Sequence, residues 1–272
     1  MVSTRVCGTL SLGSNPSRHP KIFFMTQTII LFVTSVIATG LSSMSGGGAS
    51  VIAVPVMMWM GISFPLAMSV QKFSSIFWVL PASSNYLKGR KVNWKFLILF
   101  SLLGLLGVYI GVITVVAIDK RVLEICVGIL IILLVIYTAL RRNIGIKEET
   151  VPSKKKRFIS YVFGPVLGFY EAVFGSGNGI MFAIVTLKTR GFDFINALGY
   201  YYSVAFPWEI FAAALYIYKG YFSWHIMIPC VIGSIIGGYI GSRYAKYKGN
   251  AFIKIMFIAI GTILGIKLLI GF

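Results

Sequence analysis

Between Gln27 and Met60 the chain runs for 34 residues without a charged side chain, and three consecutive glycines, Gly46-Gly47-Gly48, sit near its middle. As one helix this stretch would be about 51 Å long at 1.5 Å per residue. A bilayer's hydrocarbon core is only about 30 Å thick. The segment therefore folds back at the glycines, either as a re-entrant hairpin or as two spans. Both routes return the chain to the side it came from.

The remainder obeys the same solvent. Only 12% of the residues are charged and 57% are hydrophobic, where a soluble domain carries about 25% charge. A soluble globular enzyme is excluded on that ground. The net charge of +18 does not indicate nucleic acid, because such a binder needs its cations on one hydrated face. Here the 25 Lys and Arg crowd into short gaps between apolar segments. The reading is an all-α polytopic membrane protein with the lipid bilayer as its partner and no nucleic acid. Cys7, Cys126 and Cys230 are far apart in sequence and form neither a disulfide framework nor a zinc motif.

Residues 1–24 lack an apolar core of signal-peptide type. Gly13-Ser14-Asn15-Pro16 is what the T-arm of a tRNA gene encodes in one frame. We read 1–24 as a disordered or spurious extension, with the protein starting at Met25. The first membrane repeat is then 25–140. It comprises Gln27 to Ser45, Ala49 to Met60, Leu66 to Leu87, Trp94 to Ile118 and Val122 to Leu140. A basic cytoplasmic linker covers 141–157, since Lys and Arg hold such loops inside. The second repeat is 158–272, with segments Ile159 to Phe174, Ile180 to Leu187, Phe194 to Tyr218, Trp224 to Ala245 and Ala251 to Phe272.

The two repeats match in order. Gly61, Ala67, Trp94, Gly107 and Gly111 correspond to Gly191, Ala197, Trp224, Gly237 and Gly241, while Ser45, Gly46, Gly48 and Gly89 correspond to Ser176, Gly177, Gly179 and Gly220. Internal duplication is a habit of secondary transporters. With each half holding a Gly-rich broken or re-entrant hairpin and three spanning helices, the halves are inverted. Four parallel spans per half is the rival topology, and charge counting does not separate the two. Gly107-x-x-x-Gly111 and Gly237-x-x-x-Gly241 are read as packing devices that let helix backbones approach within the protomer, with a dimer interface as the alternative use.

This pattern resembles the TauE/SafE sulfite exporter family, also called the 4-toluene sulfonate uptake permease family. The likeness rests on the Gly-rich end of the first segment running into Ala49-Ser50-Val51-Ile52-Ala53-Val54-Pro55, and on Tyr86-Leu87-Lys88-Gly89-Arg90-Lys91-Val92-Asn93-Trp94. A second copy carries Gly175-Ser176-Gly177-Asn178-Gly179, Gly191, Gly220 and Trp224, with Asn178 where a third consecutive glycine is expected. The resemblance implies a multi-pass transporter of the bacterial inner membrane for sulfite, sulfonates or related small organosulfur anions.

Backbone that leaves helical geometry at membrane depth must be buried or line a polar cavity. Free N–H groups there also favour an anion. Substrate-binding candidates are therefore Ser45, Gly46, Gly47 and Gly48 in one cluster and Ser176, Gly177, Asn178 and Gly179 in the other, with Lys72 as a counter-charge. The alternative for the glycines is tight helix crossing, and for Lys72 it is an ammonium that reaches the interface. Ionisable groups inside spans are functional candidates, so Glu171 and Glu209 are candidates for a coupling proton. The alternative is a structural hydrogen-bonded acid. No P-loop, clustered histidines or catalytic constellation is visible, and no cofactor or metal is expected. The function read here is secondary transport of a small anion, with a passive anion channel or a carrier of a non-sulfur organic anion as alternatives.

Overall fold

The computed structural model describes residues 20–114, 120–140, 144–148, 153–173, 175 and 177–271. Among these there are ten helices and no strand: α1 (Pro20–Ser45), α2 (Ala49–Trp59), α3 (Phe64–Leu87), α4 (Trp94–Thr114), α5 (Lys120–Leu140), α6 (Lys154–Val173), α7 (Asn178–Arg190), α8 (Phe194–Tyr218), α9 (Trp224–Lys248) and α10 (Asn250–Ile270). Helix α1 already includes Pro20, and residues 1–19 lie outside the described set. Four segments, in α1, α4, α9 and α10, are long and apolar enough to cross a bilayer. Helices α3 and α8 are equally long but carry buried polar residues.

Local chemistry sets several of the element ends. Helix α1 stops because Gly46, Gly47 and Gly48 take φ of +86°, +154° and +120°, which only glycine adopts without strain. Helix α8 starts at Asp193, whose carboxylate accepts from the Asn196 N–H at 2.8 Å, satisfying one of the orphan donors of the first turn. Inside α2, Pro55 has no N–H to give the carbonyl four residues back. That carbonyl belongs to Val51, and the Lys267 ammonium fills the vacancy at 2.5 Å.

Large apolar side chains point outward, among them Leu102, Leu106, Ile110 and Ile113 on α4 and Ile255, Ile263 and Ile266 on α10. Polar and charged groups are instead sequestered between helices. That arrangement suits hydrocarbon rather than water as the surrounding medium. Trp59, Trp94, Tyr218, Trp224 and Tyr247 are exposed at helix ends, the places where amphipathic rings meet the membrane interface.

The principal packing pairs come in matched sets. Helix α1 lies on α9 and α6 on α4; α3 lies on both α8 and α9, and α8 on both α3 and α4; α5 lies on α10. The small-residue motifs explain the closeness of two of these pairs. A methyl at Gly107 would strike the Pro165 carbonyl and Phe169 N–H of α6, and one at Gly111 the Phe169 carbonyl. A methyl at Gly237 would strike the Val36 carbonyl of α1, and one at Gly241 the Gly40 carbonyl. The motifs therefore join helices within the protomer, α4 to α6 and α9 to α1.

At the end where α3 finishes and α8 begins, the inter-half linker is docked by polar contacts. Arg90 pairs with Asp193 at 2.9 Å and with Glu148 at 3.3 Å. Asn250 donates to Asp193 at 3.0 Å and to the Ile146 carbonyl at 2.9 Å.

Candidate functional site

The two glycine-rich breaks meet. The carbonyl of Gly46 lies against the α-carbon of Gly179, and a methyl on Gly47 would fall 2.6 Å from the Gly177 nitrogen. Gly177 itself has a φ of +76°. Contact of backbone on backbone requires glycine on both sides, so much of the glycine pattern is accounted for by this crossing. Ser45 is fully buried, and its hydroxyl donates to the Gly47 carbonyl at 3.0 Å and the Leu41 carbonyl at 3.2 Å, bracing the first break. Gly48 accepts from Val51 N–H as α2 starts. Ser176 lies outside the described residues.

Beside this crossing sits a buried ionic cluster. Lys72 on α3, Glu171 on α6 and Glu209 on α8 are 1%, 1% and 5% exposed. The Lys72 ammonium donates to the Glu171 backbone carbonyl at 2.6 Å and to Glu171 Oε1 at 2.8 Å. Its remaining contact is with Glu209, at 3.4 Å to Oε1 and 3.3 Å to Oε2. Burying charges at this depth is tolerated only when they are paired and hydrogen-bonded. Lys72 meets that requirement with all three of its protons. It also sits against the carbonyl end of α6, where a cation is favoured by the helix dipole.

The two carboxylates are held unequally. Glu171 Oε2 accepts from Asn178 Nδ2 at 2.8 Å and from the Tyr201 hydroxyl at 2.9 Å, in addition to Lys72 on Oε1. Among the described residues Glu209 has only the long contacts to Lys72, and its Oε2 makes no directed hydrogen bond. One cation thus faces two acids.

The candidates drawn from sequence are thereby sorted. Lys72, Glu171, Glu209 and Asn178 form one connected network, and Gly46, Gly47, Gly177 and Gly179 form the crossing beside it. Lys72 does not reach out to an interface. Asn178, the residue that departs from three consecutive glycines, directs its amide to Glu171 and to the Leu167 carbonyl at 3.1 Å. Sequence reasoning missed Tyr201 and Tyr216. Nothing in a run of tyrosines marks a ligand, but Tyr216 lies seven residues after Glu209 and so on the same helical face.

The chain matches the family model described as sulfite exporter TauE/SafE over residues 31–268. Among curated proteins it is similar to probable membrane transporter protein ORF9 of Sinorhizobium sp, at 28% identity over 88% of this chain and 91% of that protein. It is similar to a probable membrane transporter protein of Haemophilus influenzae at 24% identity, over 88% of this chain and 93% of that protein. The Escherichia coli probable membrane transporter protein YfcA matches at 24% identity over 88% of both chains. No solved structure matches the chain.

Proposed function

The chain belongs to the sulfite exporter TauE/SafE family, a family of multi-pass membrane transporters, and we propose that it takes up a proton at Glu209 together with a small anion at Lys72. The substrate class is sulfite, a sulfonate or a related organosulfur anion, and the location is a bacterial inner membrane. The observation that carries this reading is the sharing of Lys72 between a carboxylate saturated with donors and one that is not.

Glu171 keeps two protons of Lys72 whatever happens at Glu209. The third proton is the tradable one. When Glu209 takes up a proton, it no longer needs the ammonium, and an arriving anion accepts that third N–H instead. Lys72, Glu171, Tyr201 and Tyr216 are the charged and titratable groups that bear on Glu209. Before this step the cluster carries one positive and two negative charges. Afterwards it carries one of each plus the anion, so a singly charged substrate enters with its proton at no change in net charge. Such neutrality matters at a depth where an extra charge is costly.

The two halves supply the scaffold for alternating access. We read them as inverted repeats with re-entrant hairpins: α1–α2 enters from one side, α6–α7 from the other, and their breaks touch. The matched packing of α1 on α9 and α6 on α4 supports that reading. Lys88, Arg90, Lys91, Lys154, Lys188 and Lys246 gather at the end where α3 finishes and α8 starts, so that end faces the cytoplasm by the positive-inside rule.

Purified protein in proteoliposomes tests the reading. With the anion first chosen by a thermal-shift screen of sulfite, thiosulfate, sulfonates and carboxylates, uptake should saturate and should be driven uphill by an imposed pH gradient. Non-saturable flux that ignores the pH gradient would mark a passive channel and overturn it.

A further inference from the structure

Tyr216 is buried to 4% exposure, and its hydroxyl has no hydrogen-bond partner among the described residues. A buried hydroxyl left unpaired is costly and points to a ligand or water not held by the protein itself. Three observations direct it into the Lys72 cluster. Helices α3 and α8 run antiparallel, since Ser83 bonds Gly199, Lys72 meets Glu209, and Ser69 donates to the Tyr221 carbonyl at 2.6 Å. Side chains on a helix lean toward its N-terminus. In an antiparallel pair Lys72 and Tyr216 therefore lean toward each other. Between Glu209 and Tyr216 on the same face, α8 presents only the buried methyls of Ala212 and Ala213, and Tyr216 interacts electrostatically with both Lys72 and Glu209.

We infer that a singly charged oxyanion binds between Lys72 and Tyr216, with the Tyr216 hydroxyl as its second donor. This rests on the proton-coupled reading of Glu209 given above. A single charge is required because a monoanion that arrives with the Glu209 proton leaves the cluster at the net charge it had before, whereas a second negative charge would add to it at that depth. An oxyanion is required because the two donors approach from different helices, and separate oxygens on one centre can accept both.

The test titrates full-length protein in detergent with methanesulfonate, sulfate and thiocyanate at constant ionic strength. It compares wild type, Tyr216→Phe, Glu209→Gln and the double variant. Methanesulfonate should bind and sulfate should not. Tyr216→Phe should weaken methanesulfonate by about ten- to a hundredfold while leaving thiocyanate, a poor hydrogen-bond acceptor, within about twofold. Phenylalanine keeps the ring and its packing, so monodisperse protein with an unchanged melting temperature is expected. Unchanged methanesulfonate affinity, or an equal loss for thiocyanate, overturns the role of Tyr216, and tighter binding of sulfate overturns the single charge. Glu209→Gln reports separately. It should bind methanesulfonate independently of pH, and a pH dependence like that of wild type would remove the proton-coupled reading while leaving the Tyr216 comparison legible in both backgrounds.

Discussion

The two glycine-rich breaks are capped by side chains of different chemistry. Helix α6 ends with its Glu171 carbonyl bonded to the Lys72 ammonium at 2.6 Å. Helix α1 ends with its Ser42 and Ser43 carbonyls bonded to the hydroxyls of Tyr202 at 2.8 Å and Tyr86 at 2.7 Å. In the repeat register that pairs Ala67 with Ala197, Lys72 falls on Tyr202. The same geometry, a side chain from a central helix capping the end of a broken one, is thus neutral in one half and charged in the other. Neutral hydroxyls cap the first break and a charged ammonium caps the second.

The largest test of that contrast is to erase it. Lys72→Tyr copies the neutral half onto the charged one and leaves Glu171 without its counter-ion. Stranding a buried charge costs about 3–5 kcal/mol, so the melting temperature should fall sharply and flux should vanish. Normal flux would show that the asymmetry is idle. Overpacking the scaffold comes next. Gly107→Val and Gly237→Val each force carbon into a helix backbone and should destabilise by about 1–3 kcal/mol or more, by similar amounts in thermal melts. A large difference between them would argue against equivalent contacts in the two halves.

Asn178→Gly makes the second break resemble the first. It removes the Asn178 donor from Glu171 and should cost about 1–3 kcal/mol. With Glu171 loosened, the pH profile of flux should broaden, and an unaltered profile would mean that Asn178 does not keep the two acids distinct. Tyr202→Phe should be the mildest. It removes one neutral hydrogen bond, worth about 1 kcal/mol, and should lower stability slightly without moving the pH dependence.

Much of the fold was legible because lipid imposes it. Charge-free runs and glycine breaks placed Phe194–Tyr218 as the structure has it. They placed the end of α1 at Ser45 and that of α3 at Leu87 as well. Elsewhere the boundaries moved by a few residues, as with α7, which extends to Arg190 rather than Leu187, because the basic residues of its last turn stay helical. The site was legible in its members and not in its connections. Lys72, Glu171 and Glu209 stood out as rare ionisable groups inside spans, but they are 99 and 137 residues apart from Lys72. Helical periodicity says nothing about which spans pack together. Tyr216 was invisible for a different reason: its significance is an unmet hydrogen bond, which only the packed structure reveals.

The central claim is that Glu209, and not the saturated Glu171, takes up the proton that travels with the anion. The most direct measurement is anion flux in proteoliposomes across a range of pH, comparing wild type with Glu209→Gln. Wild type should accumulate the anion against its gradient when a pH gradient is imposed, with no response to membrane potential for a singly charged substrate. Glu209→Gln should still carry the anion downhill, but should lose its response to the pH gradient and become sensitive to membrane potential. A Glu209→Gln protein that remains driven by the pH gradient as wild type is would contradict the claim.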